Sequence, residues 1–90
     1  MSNVAIQLIE ICRQYVNNNL NINEFIEDFQ VLYEQKQDLL TDEEMSLFDD
    51  IYMACEYYEQ DENIRNEYHL YIGENELRQK VQKLVKKLAA

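Results

Sequence analysis

A chain of 90 residues with no proline and one glycine, Gly73, lacks the residues that hairpins and tight turns depend on. Leu, Ile, Glu, Gln and Lys are abundant instead, and these sit comfortably in helices. The expectation is an all-α chain whose helices are joined by short links. A chain this short forms one domain, residues 1–90, and buries roughly 60–65% of its unfolded surface, enough for one modest core but no deep pocket. Because 47% of the residues are hydrophobic, folding is expected despite the high charge.

Hydrophobic spacing places the helices. Ala5, Leu8, Cys12 and Tyr15 recur at steps of three and four, widened by Ile9 and Val16, which predicts a first helix over about residues 3–17. The run Asn17, Asn18, Asn19 ends it, since Asn tolerates the left-handed conformation. Asn21 with Glu24 three residues on predicts a capping box opening a second helix. Its apolar face reads Ile22, Phe25, Phe29, Leu32 and Leu39, with Ile26, Tyr33 and Leu40 alongside. Thr41 and Glu44 form a second such box, and Asp42, Glu43 and Glu44 complement the positive end of the third helix. The core stripe of that helix is Leu47, Ile51, Ala54 and Tyr58, flanked by Phe48 and Cys55; another face carries Asp49, Tyr52, Met53, Glu56 and Glu59. Over residues 60–73 the pattern lapses, although Tyr68, Leu70 and Ile72 alternate as in an extended segment lying on the bundle. Leu77, Val81, Leu84 and Leu88 mark the last helix, whose outer face holds Arg78, Lys80, Lys83, Lys86 and Lys87. Four amphipathic helices predict an antiparallel four-helix bundle.

Charge narrows the function. The net charge is −10, and the stretch 42–76 holds twelve carboxylates against one base, Arg65. Phosphates are gripped by Lys and Arg, so direct binding of nucleic acid or of an anionic membrane surface is excluded. A basic protein surface is what such a face attracts. Capping accounts for Asp42, Glu43 and Glu44, which leave the functional argument. Tyr52, Tyr57, Tyr58, Tyr68 and Tyr71 are interleaved with the remaining acids, and tyrosine suits interfaces because it offers large, fairly rigid area with a polar tip.

Catalysis finds no support in the motifs. His69 is the only histidine and has no nucleophile motif around it; neither Ser2 nor Ser46 sits in G-x-S-x-G, and a single glycine forbids a phosphate-cradling loop. Asp61, Asn63 and Arg65 imitate the start of a calcium loop, but Asn66 stands where glycine is needed and Ile72 where the closing glutamate belongs. Cys12 and Cys55 lie far apart without clustered histidines and read as small buried hydrophobes, so neither metal nor cofactor is expected. Ser46 is preceded by Met45 inside a helix, unlike the Asp-Ser-Leu attachment site of the small acidic acyl carrier proteins. The residues from Met1 to Glu10 lack the basic start of a secretion signal, and no apolar run is long enough to span a bilayer; a cytoplasmic protein is expected.

The run Ile51, Tyr52, Met53, Ala54, Cys55, Glu56, Tyr57, Tyr58, Glu59, Gln60, Asp61, followed by Arg65, resembles the central motif of the colicin D immunity protein family, whose relatives include immunity proteins of contact-dependent inhibition systems. That motif reads aromatic-Met-Ala-Ala-Glu-x-aromatic-x-Pro-Asp with an Arg shortly after. The likeness extends from Asn21, Glu24 and Phe25 to Leu88, with Gln60 in place of the proline, Cys55 in place of an alanine and a slightly longer connection before the last helix. The resemblance implies a four-helix bundle whose partner, bound 1:1, is the nuclease domain of a toxin that cuts transfer RNA in the anticodon loop. It implies that Glu56, Glu59 and Asp61 enter the basic cleft of the toxin in place of RNA phosphates. Asp49, Tyr52, Tyr57 and Glu62 complete the expected toxin-facing set on residue grounds. The alternative is an acidic helical adaptor or nucleic-acid mimic with a different basic partner, and an enzyme built on the carboxylates ranks last.

Overall fold

The computed structural model describes residues 1–89. Five helices follow one another: α1 (Asn3–Val16), α2 (Ile22–Lys36), α3 (Asp42–Tyr57), a short α4 (Glu62–Glu67) and α5 (Glu74–Ala89), with one 3-10 turn, Gln37–Leu39, between α2 and α3. No strand occurs among the described residues, and the one β-bridge pairs Tyr58 with Ile72 in parallel. The all-helical expectation holds, with a fifth helix that hydrophobic spacing missed. Six residues are too few to display a helical period, and α4 buries none of them.

Local chemistry sets the helix ends. Ser2 caps α1 by accepting from the Ala5 amide. Asn18 takes a left-handed φ of 65° at the other end. The Asn19 and Asn18 amides then reach back to the Gln14 and Tyr15 carbonyls at 2.8 and 3.0 Å, the paired bonds of a Schellman ending. Both expected capping boxes are present, Asn21 with Glu24 and Thr41 with Glu44. The Leu39 expectation fails. The α-helical twist stops at Lys36, the 3-10 turn advances each residue further around the axis, and Leu39 emerges 60% exposed while Leu40 takes the buried place.

The four long helices pack in a ring in which α1 and α3 each touch both α2 and α5. The α1–α5 pair is antiparallel, for Tyr15 near the end of α1 meets Glu74 and Arg78 at the start of α5. The α3–α5 pair is antiparallel too, with Tyr57 and Tyr58 beside Ile72 and Asp50 beside Lys80. Between α2 and α3 the aromatic contacts advance in step, Phe29 with Phe48 and Tyr33 with Tyr52, so these two cross where the rings meet. The core runs from Tyr15 stacked on Phe25 (4.6 Å between centroids) through Phe29 to Phe48. Cys12 and Cys55 are buried free thiols, and burial pushes both up to about 12. On α3, Phe48 and Cys55 are core members with Ile51 and Ala54, whereas Leu47 and Tyr58 are half-buried at its edge. Tyr68 and Leu70 do not pack into the core; both are exposed, and only Ile72 of that alternating set packs there.

Glu44 does more than cap. Its carboxylate is buried and accepts from the Ser2 amide (2.9 Å), the Ser2 hydroxyl (2.8 Å) and the Thr41 amide (3.0 Å), tying the start of α1 to the start of α3. These bonds favour the anion and hold its pKa below the ordinary 4.5. A carboxyl whose pKa is lowered by folding stabilises the fold fully above the ordinary range and loses that contribution as pH falls through the lowered value. Glu44→Gln is therefore expected to lower the melting temperature at pH 7 by roughly 5–10 °C, as lost caps do in a domain of this size. The gap to the wild-type chain should shrink steadily in melts taken from pH 5 down to pH 2.

Candidate functional site

The acidic residues expected to act together fall into two groups around the C-terminal half of α3. The first straddles α2 and α3. Asp49, Tyr52 and Glu56 recur along the outer side of α3, and Glu34 faces them from α2. The Tyr52 hydroxyl donates to Glu34 Oε1 at 2.6 Å, and its ring stacks on Tyr33 with 4.8 Å between centroids. Bonding to Glu34, with Glu56 close by, drives the Tyr52 phenol well above its ordinary 10. Tyr33 is raised by burial and then by Asp49. Tyr52 thus ties the Glu34 carboxylate of α2 to α3, on the side where Glu56 stands. Glu34 had escaped the sequence reading because nothing on α2 announces which residue of α3 it will face.

The second group lies where α3 gives way to α4. Glu59, Asp61 and Glu62 share this corner, and two of them also have structural work. The Glu59 carboxylate accepts from the Asp61 amide at 3.1 Å, and Asp61 caps α4 by accepting from the Asn63 amide at 2.9 Å. Glu62 stands exposed in the first turn of α4, where the helix dipole favours it. Arg65 does not neutralise this corner from outside. Its guanidinium turns inward to donate to the Glu59 carbonyl at 2.6 Å and lies against Gly73, where an added Cβ would stand 3.2 Å from the guanidinium carbon. A side chain at position 73 would therefore need the Arg65 guanidinium to give way slightly. Two ladder bonds fasten the corner to the start of α5, Glu59 N–H to Ile72 O and Ile72 N–H to Tyr57 O, both at 2.9 Å.

Tyr57 belongs to neither carboxylate group. It stands on the other flank of Met53, half turned to solvent, beside Leu70 and Ile72. Of the expected set, the structure therefore brings Asp49, Tyr52 and Glu56 together with Glu34, groups Glu59, Asp61 and Glu62, and sets Tyr57 at the border. Bases gather elsewhere. An open groove of about 390 Å3 between α3 and α5 has Lys80, Lys83 and Lys87 on one wall and Glu43 and Asp50 on the other, a mixed rim unsuited to a strongly charged partner of either sign. Among the described residues no three His, Cys, Asp or Glu side chains converge as a metal ion would need, and no helix is long and apolar enough to cross a membrane.

Comparison with known proteins gives one match that spans nearly the whole chain. A family model described as bacterial self-protective colicin-like immunity matches residues 2–88. No curated protein and no solved structure matches the chain.

Proposed function

Because the chain belongs to the bacterial self-protective colicin-like immunity family, whose members neutralise a cognate toxin, we propose that its target is a nuclease toxin that cuts transfer RNA and that it acts by filling the basic cleft of that enzyme. Glu56, Glu59 and Asp61 take the positions of RNA phosphates in this reading, with Asp49, Tyr52, Tyr57 and Glu62 around them. The observation that carries it is the state of the only base in the stretch 42–76, Arg65, whose guanidinium donates to the Glu59 carbonyl and forms no ion pair with a carboxylate among the described residues. Its single positive charge offsets little of the twelve negative ones, and Glu56, Glu59 and Asp61 have no ion-pair partner among the described residues. A cleft that grips RNA presents Lys and Arg, and a rigid anionic corner both fits it and draws it in through long-range attraction. Inhibition then needs no cofactor, no contact with nucleic acid and no turnover, and it protects the cytoplasm in which the toxin's substrate is found.

The test is direct. The nuclease domain encoded beside this chain is mixed with increasing amounts of it, and cleavage of total transfer RNA is followed. Cleavage is expected to stop at one equivalent, with association slowing as salt rises. Undiminished cleavage at a large excess overturns the proposal.

A further inference from the structure

The connection between α4 and α5 makes a turn closed by the Tyr71 amide on the Tyr68 carbonyl at 3.0 Å, with His69 and Leu70 at its tip. Turn tips ordinarily carry Gly, Asn, Asp or Ser. Here the tip carries a leucine that is 66% exposed, between Tyr68 at 59% and Tyr71 at 38%. The backbone turn makes no use of that side chain. Leu70 leans over α3, where Met53 and Tyr57 stand one helical turn apart and are 40% and 37% exposed, and with Ile72 they line one shallow depression of about 200 Å3. Exposed large apolar side chains are usually scattered; a contiguous group of them marks a contact surface.

The rim says what covers it. Asp50 and Glu76 border the depression, and Glu56 is the chain neighbour of Tyr57. The one base on the rim, Lys80, is paired with Asp50 at 3.5 Å. With Asp50 answered by Lys80, Glu76 is the rim carboxylate without an ion pair among the described residues. An apolar centre with that anion at its edge, on a chain of net charge −10, fits a partner that is apolar in the middle and basic around it. A second copy of this chain is the wrong occupant. A two-fold contact would bring together two chains of net charge −10 with Lys80, already paired to Asp50, as the one base of each rim to offset them. Resting on the nuclease-neutralising function proposed above, we infer that Met53, Tyr57 and Leu70 form the apolar anchor of the toxin interface, receiving an apolar projection beside the basic cleft. The carboxylates draw the partner in and also hold its bases, whereas the anchor acts on how long the partner stays and not on its arrival.

Binding of the adjacent-gene nuclease domain, measured by surface-resolved kinetics at several salt concentrations, separates the two contributions. Met53→Ser with Leu70→Ser is expected to raise the dissociation rate by about tenfold or more, leaving the association rate and its salt dependence unchanged. Glu56→Gln with Glu59→Gln should slow association and flatten the salt dependence. Leu70→Ser alone, at a turn tip where the fold does not need it, gives the same direction should the double variant melt early. Dissociation of both serine variants within about twofold of the parent chain, with the parent binding tightly, overturns the anchor and leaves the function standing. Failure of the parent chain itself to bind overturns the function, and the anchor with it. A parent dimer in sedimentation equilibrium that the serine variants abolish assigns the depression to a second copy and likewise overturns the anchor.

Discussion

Cells making the toxin and the Glu56→Lys form of this chain are expected to die, although the variant folds as well as the parent. Glu56 is exposed on α3, so its removal leaves no hole and no buried donor without a partner. The ammonium that replaces it falls beside Glu34 and Tyr52, the pair joined at 2.6 Å, and can be accommodated there. The melting temperature should therefore stay within a few degrees of the parent. The interface has no such remedy. Losing one partner of a desolvated charge pair costs about 2–5 kcal/mol, roughly 30-fold to several thousand-fold in Kd, and a reversed charge adds repulsion from the remaining bases of the cleft. Survival of toxin-producing cells and a melting curve on the same variant check both halves. Full protection by Glu56→Lys would remove Glu56 from the interface and with it the phosphate-mimic account.

What could be read from the residues alone was whatever depends on near neighbours in the chain. The boxes at Asn21 and Thr41 are decided by atoms three residues apart, and both appear as expected. So does the end of α1, where Asn18 supplies the left-handed residue. Errors begin where a period must be carried past the point at which the helix stops. Leu39 continues the α2 stripe on paper, but the 3-10 turn shifts the register and gives the core place to Leu40. The short α4 was invisible for a related reason. Its signal is an Asp61 cap and an inward Arg65, and neither role shows in the spacing of apolar residues. At the proposed site, that Asp49 and Glu56 share a side of α3 with Tyr52 was legible because they lie on one helix. Glu34 and Leu70 were not, since each joins the site across space from another element. The family motif supplied the position proposed for the site, and the geometry added Glu34 and Leu70 to that proposal.

The dependence of that geometry on the core leads to the second large effect. Phe29 is fully buried at the crossing of α2 and α3 and lies within 5.6–6.3 Å, ring to ring, of Phe25, Tyr33 and Phe48. Phe29→Ala is expected to cost about 3–5 kcal/mol, since the neighbouring rings collapse only partly into the space left behind. A domain of this size has about 5–15 kcal/mol in all, so the melting temperature should fall on the order of 20 °C. The loss is not confined to stability. Tyr33 rests on Phe29 and Tyr52 rests on Tyr33, so the stack that ends at the Tyr52–Glu34 bond loses its floor. At 10 °C, where the variant is still folded, toxin dissociation should be faster than for the parent even though Phe29 touches nothing outside the core. Phe29→Leu, which keeps most of the volume, should recover most of both losses. A melting temperature for Phe29→Ala within a few degrees of the parent would mean that the α2–α3 crossing is held by something other than this aromatic stack, and that Tyr52 owes its position to α3 alone.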